Sequence, residues 1–131
     1  MREQARPGAG ATVLVVDDDE GVRLVVRRAL EVDGFKVVEA CDGVRALVAL
    51  SERRGRVSLV LTDVVMSQMG GRELSAALSY QYPELPLLFM SGYPEDQLRK
   101  QGLVPETVGF VAKPFAGGAI AARVRTALGI A

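Results

Sequence analysis

Four short apolar runs, each stopping at a lone polar residue, constrain this chain more than anything else in it. They cover 12–16, 58–62, 87–90 and 109–112, and they end at Asp17 and Asp18, at Asp63, at Ser91 and at Lys113. Val, Leu and Phe fill them with little polar alternation, which is how strands covered on both faces of a parallel sheet read. The carboxyl ends of such strands open on one side, and ligands bind in the crevice there. Three carboxylates, a hydroxyl and an ammonium are therefore expected to converge. That donor set suits a divalent cation and a phosphoryl group.

The 131 residues suit one domain with a single core. Sixteen basic and sixteen acidic residues cancel formally, so no long-range field favours nucleic acid or an anionic membrane, and no direct nucleic-acid partner is expected. No stretch approaches the roughly 20 apolar residues of a bilayer span, and residues 1–11 lack the apolar core of a signal peptide. No membrane insertion and a cytoplasmic location are the expectation. The single cysteine, Cys41, cannot form an internal disulfide and is compatible with a reducing compartment. Histidine is absent, which removes Ser-His-Asp hydrolysis, His-ligated zinc and phosphohistidine chemistry from what the chain does alone. Phosphate arriving from a histidine must come from another protein.

Residues 1–11 are small, polar and Gly/Pro-rich and read as a flexible lead-in, with the domain over 12–131. After the first strand Asp19 can cap a helix with Val22, Val25, Val26, Ala29 and Leu30 at helical spacing, stopped at Gly34. A short strand over 36–40 precedes a helix over 43–54, its stripe being Val44, Leu47, Val48 and Leu50. Gly70 and Gly71 mark the loop before a helix over 72–81, and Pro86 opens the fourth strand. A short helix around 95–101 lies between Gly92, Pro94, Gly102 and Pro105. A last helix over 116–128 turns Ile120, Val124 and Leu128 to the sheet. Five βα units imply an α/β fold: a doubly wound parallel sheet with helices on both faces and right-handed crossovers.

Asp17, Asp18 and Asp63 brought together repel one another, which raises their pKa values unless a cation sits among them. Magnesium is the natural cation, since it prefers hard oxygen ligands and takes one or two carboxylates directly. Lys113 can pair with an aspartate at rest or with a phosphate oxygen later, and Ser91 can donate to a phosphate oxygen. A carboxylate in that setting can attack an activated phosphoryl group and become an aspartyl phosphate. Singly each residue has a plainer reading: Asp17 to Asp19 as turn and cap residues, Ser91 before glycine as a turn, Phe110 as core. Arg27, Arg28, Arg53, Arg54, Arg99 and Lys100 read as solvated helix faces. It is the joint placement at successive strand ends that selects the site.

The segments VLVVDDDEGVR, LVLTDVVM, GGREL, LFMSGY and FVAKPF, in that order and spacing, resemble the receiver domain of two-component response regulators over nearly all of 12–128. The resemblance implies a flavodoxin-like (βα)5 sheet of strand order 2-1-3-4-5. It implies Asp63 as phosphoacceptor, Asp18 and Asp63 as direct magnesium ligands, Asp17 chiefly through water, and the Val65 carbonyl completing the protein ligands. Ser91 and Lys113 would bind the phosphoryl oxygens. Ser91 and Phe110 occupy the family's switch positions, where the hydroxyl moves to the phosphoryl group and the aromatic ring turns inward. The surface of the fourth helix, fifth strand and fifth helix is thereby repacked, and segment 92–105 fits a mobile role.

The implied partners are a sensor histidine kinase or histidine phosphotransfer protein upstream and a protein target downstream, with a homodimer through the switch surface allowed. Such a domain catalyses its own phosphorylation and slow dephosphorylation without being a turnover enzyme. No output domain follows residue 131, so a stand-alone receiver or one excised from a larger protein is expected, and the wording resembles receivers of hybrid sensor histidine kinases.

Three positions depart from the family. Ser67 stands where a proline is usual after the methionine, here Met66, which predicts a less rigid loop. Phe110 replaces the commoner tyrosine, so its switch must work through packing. Val65 cannot orient an attacking water, which predicts a long-lived acyl phosphate. Lys113-Pro114 resembles the family's cis peptide bond. Two other classes fit parts of the pattern: a small magnesium-dependent phosphatase of the haloacid-dehalogenase type using Asp17, which normally needs a larger chain and a cap, and a phosphorylation-independent docking module.

Overall fold

A computed structural model describes residues 10–113 and 118–130. Strand and helix alternate: β1 (Thr12–Val16), α1 (Glu20–Val32), β2 (Lys36–Ala40), α2 (Gly43–Glu52), β3 (Leu59–Asp63), α3 (Gly71–Gln81), β4 (Leu87–Ser91), α4 (Glu95–Lys100), β5 (Gly109–Ala112) and α5 (Ala119–Leu128). The five strands are parallel in the order β2-β1-β3-β4-β5, the expected flavodoxin-like arrangement. No helix among the described residues is long and apolar enough to cross a membrane.

Strand alternation sorts the core into two faces. Val13, Val15, Leu59, Leu61, Leu88, Met90 and Val111 pack on α1 and α5 through Val26, Leu30, Ile120 and Val124. Leu14, Val16 and Val60 pack on α2 and α3 through Ala46, Ala49, Leu50, Leu74 and Leu78. Beside that second layer, Phe89 and Phe110 meet Val64 and the α4 side through Leu98 and Val104. Both faces need apolar cover, which is why the runs show so little alternation in sequence.

Asp19 caps α1, its carboxylate accepting from the Val22 N–H at 3.2 Å. The helix stops where Gly34 takes φ +98°, a conformation favouring glycine. Within α1, Val26 and Leu30 are buried, but Val25 is exposed. In α2 the stripe differs from expectation: Val44 and Val48 face solvent, and Gly43, Ala46, Ala49 and Leu50 are buried. Small residues at this three-residue spacing let α2 come close to the sheet, where branched side chains would hold it off. The third and fourth strands each run one residue further than expected, so Asp63 and Ser91 are their final residues. The lead-in falls on 1–9 apart from its last two residues, the start expected for the last helix falls on 116–117, and Pro114 shares that gap; all lie outside the described residues.

Candidate functional site

β1 and β3 are neighbours with Val16 opposite Thr62, so the residues that follow, Asp17 and Asp63, come side by side. Asp17 is 1% exposed, Asp63 half-buried and Asp18 exposed. One carboxylate oxygen from each lies within 4.8 Å of the others. Lys113, one residue beyond β5, places its Nζ 2.9 Å from Asp17 Oδ2 and 3.7 Å from Asp63 Oδ1. Of the five residues expected to converge, Asp17, Asp18, Asp63 and Lys113 come together, and Lys113 pairs with an aspartate as foreseen.

Asp17 is fixed on all sides. Its N–H donates to the Ala40 carbonyl at 3.1 Å. Its Oδ1 accepts from the Asp19 N–H at 2.9 Å, and its Oδ2 takes Lys113. Asp63 is less comfortable. Burial, with the Asp17 charge behind it, pushes its carboxyl up to about 6 against the pull of Lys113 and of the Val64 N–H. That N–H donates to Asp63 Oδ1 at 2.9 Å. Crowded carboxylates outnumber the single ammonium among them, and the donors are all hard oxygens with neither histidine nor thiolate. This set fits a small divalent cation such as magnesium.

Ser91 is 2% exposed, and its Oγ accepts from the Tyr93 N–H at 3.0 Å, the turn its glycine neighbour suggests. By alternation Ser91 shares the α4 face with Phe89, whereas Met90 belongs to the opposite core. Phe110 is 8% exposed and lies in the Phe89 cluster, so Ser91 and Phe110 stand on one face. The Lys113 N–H donates to the Ser91 carbonyl at 2.8 Å, which ties the two strand ends together. Val65 follows Asp63 by two residues with about half its surface open.

The loop carrying Val65 and Ser67 is seated by glycines. A Cβ on Gly71 would stand 2.6 Å from the Asp63 carbonyl and 2.9 Å from Phe89. One on Gly43 would stand 2.6 Å from the Met69 side chain. The Gly43 N–H donates to the Met69 carbonyl at 3.0 Å, and the Gly71 N–H to the Val64 carbonyl at 2.8 Å. Close packing at both ends restrains the loop in which Ser67 replaces a proline.

Sequence reading missed Arg23 and Glu39 and placed Arg27 and Arg99 on solvated faces. Arg23 donates to the Asp17 carbonyl at 2.7 Å and to Glu39 at 2.9 Å, and Arg27 donates to the other Glu39 oxygen at 2.7 Å. The Arg27 hydrogen bond, outweighing burial, holds the Glu39 carboxyl below its usual range. Arg99 donates to the Pro105 and Val108 carbonyls at 2.6 and 3.0 Å. These partners lie across helix–strand and helix–loop gaps that carry no periodic signal.

Known proteins agree with this geometry. The family model of the response regulator receiver domain matches residues 13–125. The sensor kinase CckA of Brucella abortus is 39% identical over 118 residues, which are 90% of this chain and 12% of that protein. The response regulator MprA of Mycobacterium sp. (strain KMS) is 35% identical over 116 residues, 88% of this chain and 50% of that protein. The chain therefore spans half or less of the length of these relatives. Among solved structures, the receiver domain of the hybrid histidine kinase CckA superposes with a TM-score of 0.75 at 31% identity, covering 90% of this chain and 99% of that one. Family model, relatives and fold converge: the chain belongs to the response regulator receiver domains of two-component signal transduction.

Proposed function

We propose that this receiver takes a phosphoryl group onto Asp63 from the phosphohistidine of a sensor histidine kinase or a histidine phosphotransfer protein. The observation that carries the reading is the convergence of Asp17, Asp18 and Asp63 within 4.8 Å under Lys113. Asp18 and Asp63 would hold magnesium directly, Asp17 chiefly through water, and the Val65 carbonyl would complete the protein ligands. Bound there, magnesium supplies charge neutralisation for the crowded carboxylates and the incoming phosphoryl oxygens.

An Asp63 oxygen attacks phosphorus in line, the P–N bond to the donor imidazole breaks, and the leaving nitrogen keeps the electron pair and is protonated. The attack needs the ionised carboxylate. With its pKa at about 6, Asp63 is mostly ionised at pH 7, and Lys113 favours that form. Lys113 then exchanges an aspartate oxygen for a phosphoryl oxygen. The Ser91 hydroxyl, whose oxygen accepts from Tyr93, has its own hydrogen to give to another phosphoryl oxygen. Movement of Ser91 and repacking of Phe110 on the shared α4 face carry the change to the α4, β5 and α5 surface, where a downstream protein reads it. With Val65 unable to orient a water, the acyl phosphate is long-lived. The domain is a signalling unit over 12–131 in a cytoplasmic setting, not a turnover enzyme.

Incubation with magnesium and acetyl phosphate should add one phosphoryl group by intact mass, located at Asp63 by borohydride reduction, and Asp63→Asn should abolish it. A modification that survives Asp63→Asn and requires Asp17 would replace this reading with the Asp-based phosphatase. No modification with any phosphodonor would favour a phosphorylation-independent docking module.

A further inference from the structure

Of the groups that hold Asp17, one comes from a side chain outside the acidic site. The Asp17 carbonyl accepts from Arg23 Nη1 at 2.7 Å. Arg23 lies in the opening turns of α1 with its side chain 16% exposed, and its Nε contacts Glu39 Oε1 at 2.9 Å. Glu39, on the edge strand β2, offers its second oxygen to Arg27 Nη1 at 2.7 Å, and Arg27 Nε reaches Glu31 at 3.0 Å. Two guanidinium groups thus face two carboxylates, so the network carries no net formal charge toward the site. What Arg23 exerts on Asp17 is therefore positional.

The carbonyl of Asp17 and the N–H of Asp18 belong to one planar peptide. Fixing that carbonyl fixes the peptide plane, and with it the direction in which Asp18 leaves the backbone. Asp18 needs the help: it is exposed, and among the described residues its carboxylate accepts no hydrogen bond, although it joins the Asp17 and Asp63 oxygens within 4.8 Å. We propose that Arg23, braced by Glu39, is a positioning residue for the Asp17–Asp18 cation-binding turn. Through this brace β2 and α1 set how well the acidic group binds magnesium. The proposal rests on reading the three aspartates as the magnesium site.

Calorimetric titration of the full chain with magnesium chloride tests it, alongside urea unfolding in EDTA. Arg23→Met should weaken magnesium binding about 10-fold, the low end of what loss of a supporting contact does to a metal site. Arg23→Lys, which can reach the carbonyl but cannot fork onto Glu39 as well, should recover part of the affinity, and Glu39→Gln should lose about 3-fold by loosening the brace. A purely structural Arg23 would lower the urea midpoint and leave the affinity of the folded protein unchanged, which overturns the proposal. If Arg23→Met does not fold, Arg23→Lys and Glu39→Gln decide in its place: wild-type affinity in both overturns it. Failure of the wild-type chain itself to bind magnesium defeats the underlying site reading instead, and is visible in the first titration.

Discussion

Asp17, one residue beyond β1, and Ser91, the last of β4, stand at the same rim of the sheet, yet their side chains are held very differently. Asp17 is bonded at its N–H, its carbonyl and both carboxylate oxygens. Behind it α1 has 13 residues, a side-chain cap at Asp19, and an ion pair at 2.6 Å from Asp33 to Arg125 of α5. Ser91 is paired with Ala112 in the ladder and its carbonyl takes the Lys113 N–H, but its side chain makes one hydrogen bond, from the Tyr93 N–H, and it leads into α4, six residues long without a side-chain N-cap. α4 is kept in place by Leu98, with Val104 beside it, in the Phe89–Phe110 cluster and by the Arg99 clasp on the following loop. Segments with few anchors open first, and switching elements are drawn from them. On the reading proposed above, the acidic side keeps its geometry and the α4 side changes it, with segment 92–105 held by two buried anchors.

The most damaging test of this contrast is Leu98→Ala. The side chain is 4% exposed, and its loss should cost about 3 kcal/mol in urea unfolding. Hydrogen exchange should rise over 95–108 well before it rises in α1. Equal acceleration in both would break the contrast.

Next in size is Asp63→Asn without divalent cation. The native carboxyl titrates at about 6 against 3.8 unfolded, so the unfolded chain binds fewer protons between these values and stability falls as pH rises through that window. The shift corresponds to roughly 3 kcal/mol. It is already net of the Lys113 attraction, so with the poorer fit of the amide set against it the variant should be more stable at pH 7 by about 2 kcal/mol. Its stability should be nearly flat between pH 4 and 6, apart from other groups. A stability difference between wild type and variant that does not change across the same window would show that the acidic side is not strained.

Arg99→Ala should cost only about 1 kcal/mol globally, because its partners are half-exposed carbonyls and Glu95. The loss should be concentrated in exchange of the 101–108 loop. Smallest in stability is Val65→Asn, within about 0.5 kcal/mol of wild type as expected at an open position. It should shorten the acyl-phosphate lifetime several-fold in magnesium; rapid phosphate loss from wild type, unchanged by the substitution, would remove Val65 from the account.

The strands were legible because a two-faced core leaves runs such as 12–16 without polar interruption, and the site was legible because each run ends in one charged or hydroxyl residue. Position within a strand was not: Asp63 and Ser91 are paired in the ladder and terminate it. The α2 stripe was misread because close approach selects Gly43, Ala46 and Ala49, which a hydrophobic pattern passes over in favour of Val44 and Val48. Arg23 went unnoticed, and Arg27 and Arg99 looked like surface charge, because nothing in sequence links Arg23 to Glu39 sixteen residues later. Long side chains find such partners only once helix and strand are docked.

Gly71 and Gly92 sit on opposite sides of that contrast and imply different latitude for change over generations. At Gly71 a single added carbon collides with the backbone of Asp63 and the ring of Phe89, while at Gly92 it meets nothing within 4 Å. In a saturation library selected for phosphorylation, position 71 should return glycine alone, and position 92 should return a broad alphabet. On the proposed reading, descendants of this chain can retune the stretch after Ser91 toward new listeners while the seat beneath Asp63 is inherited unchanged.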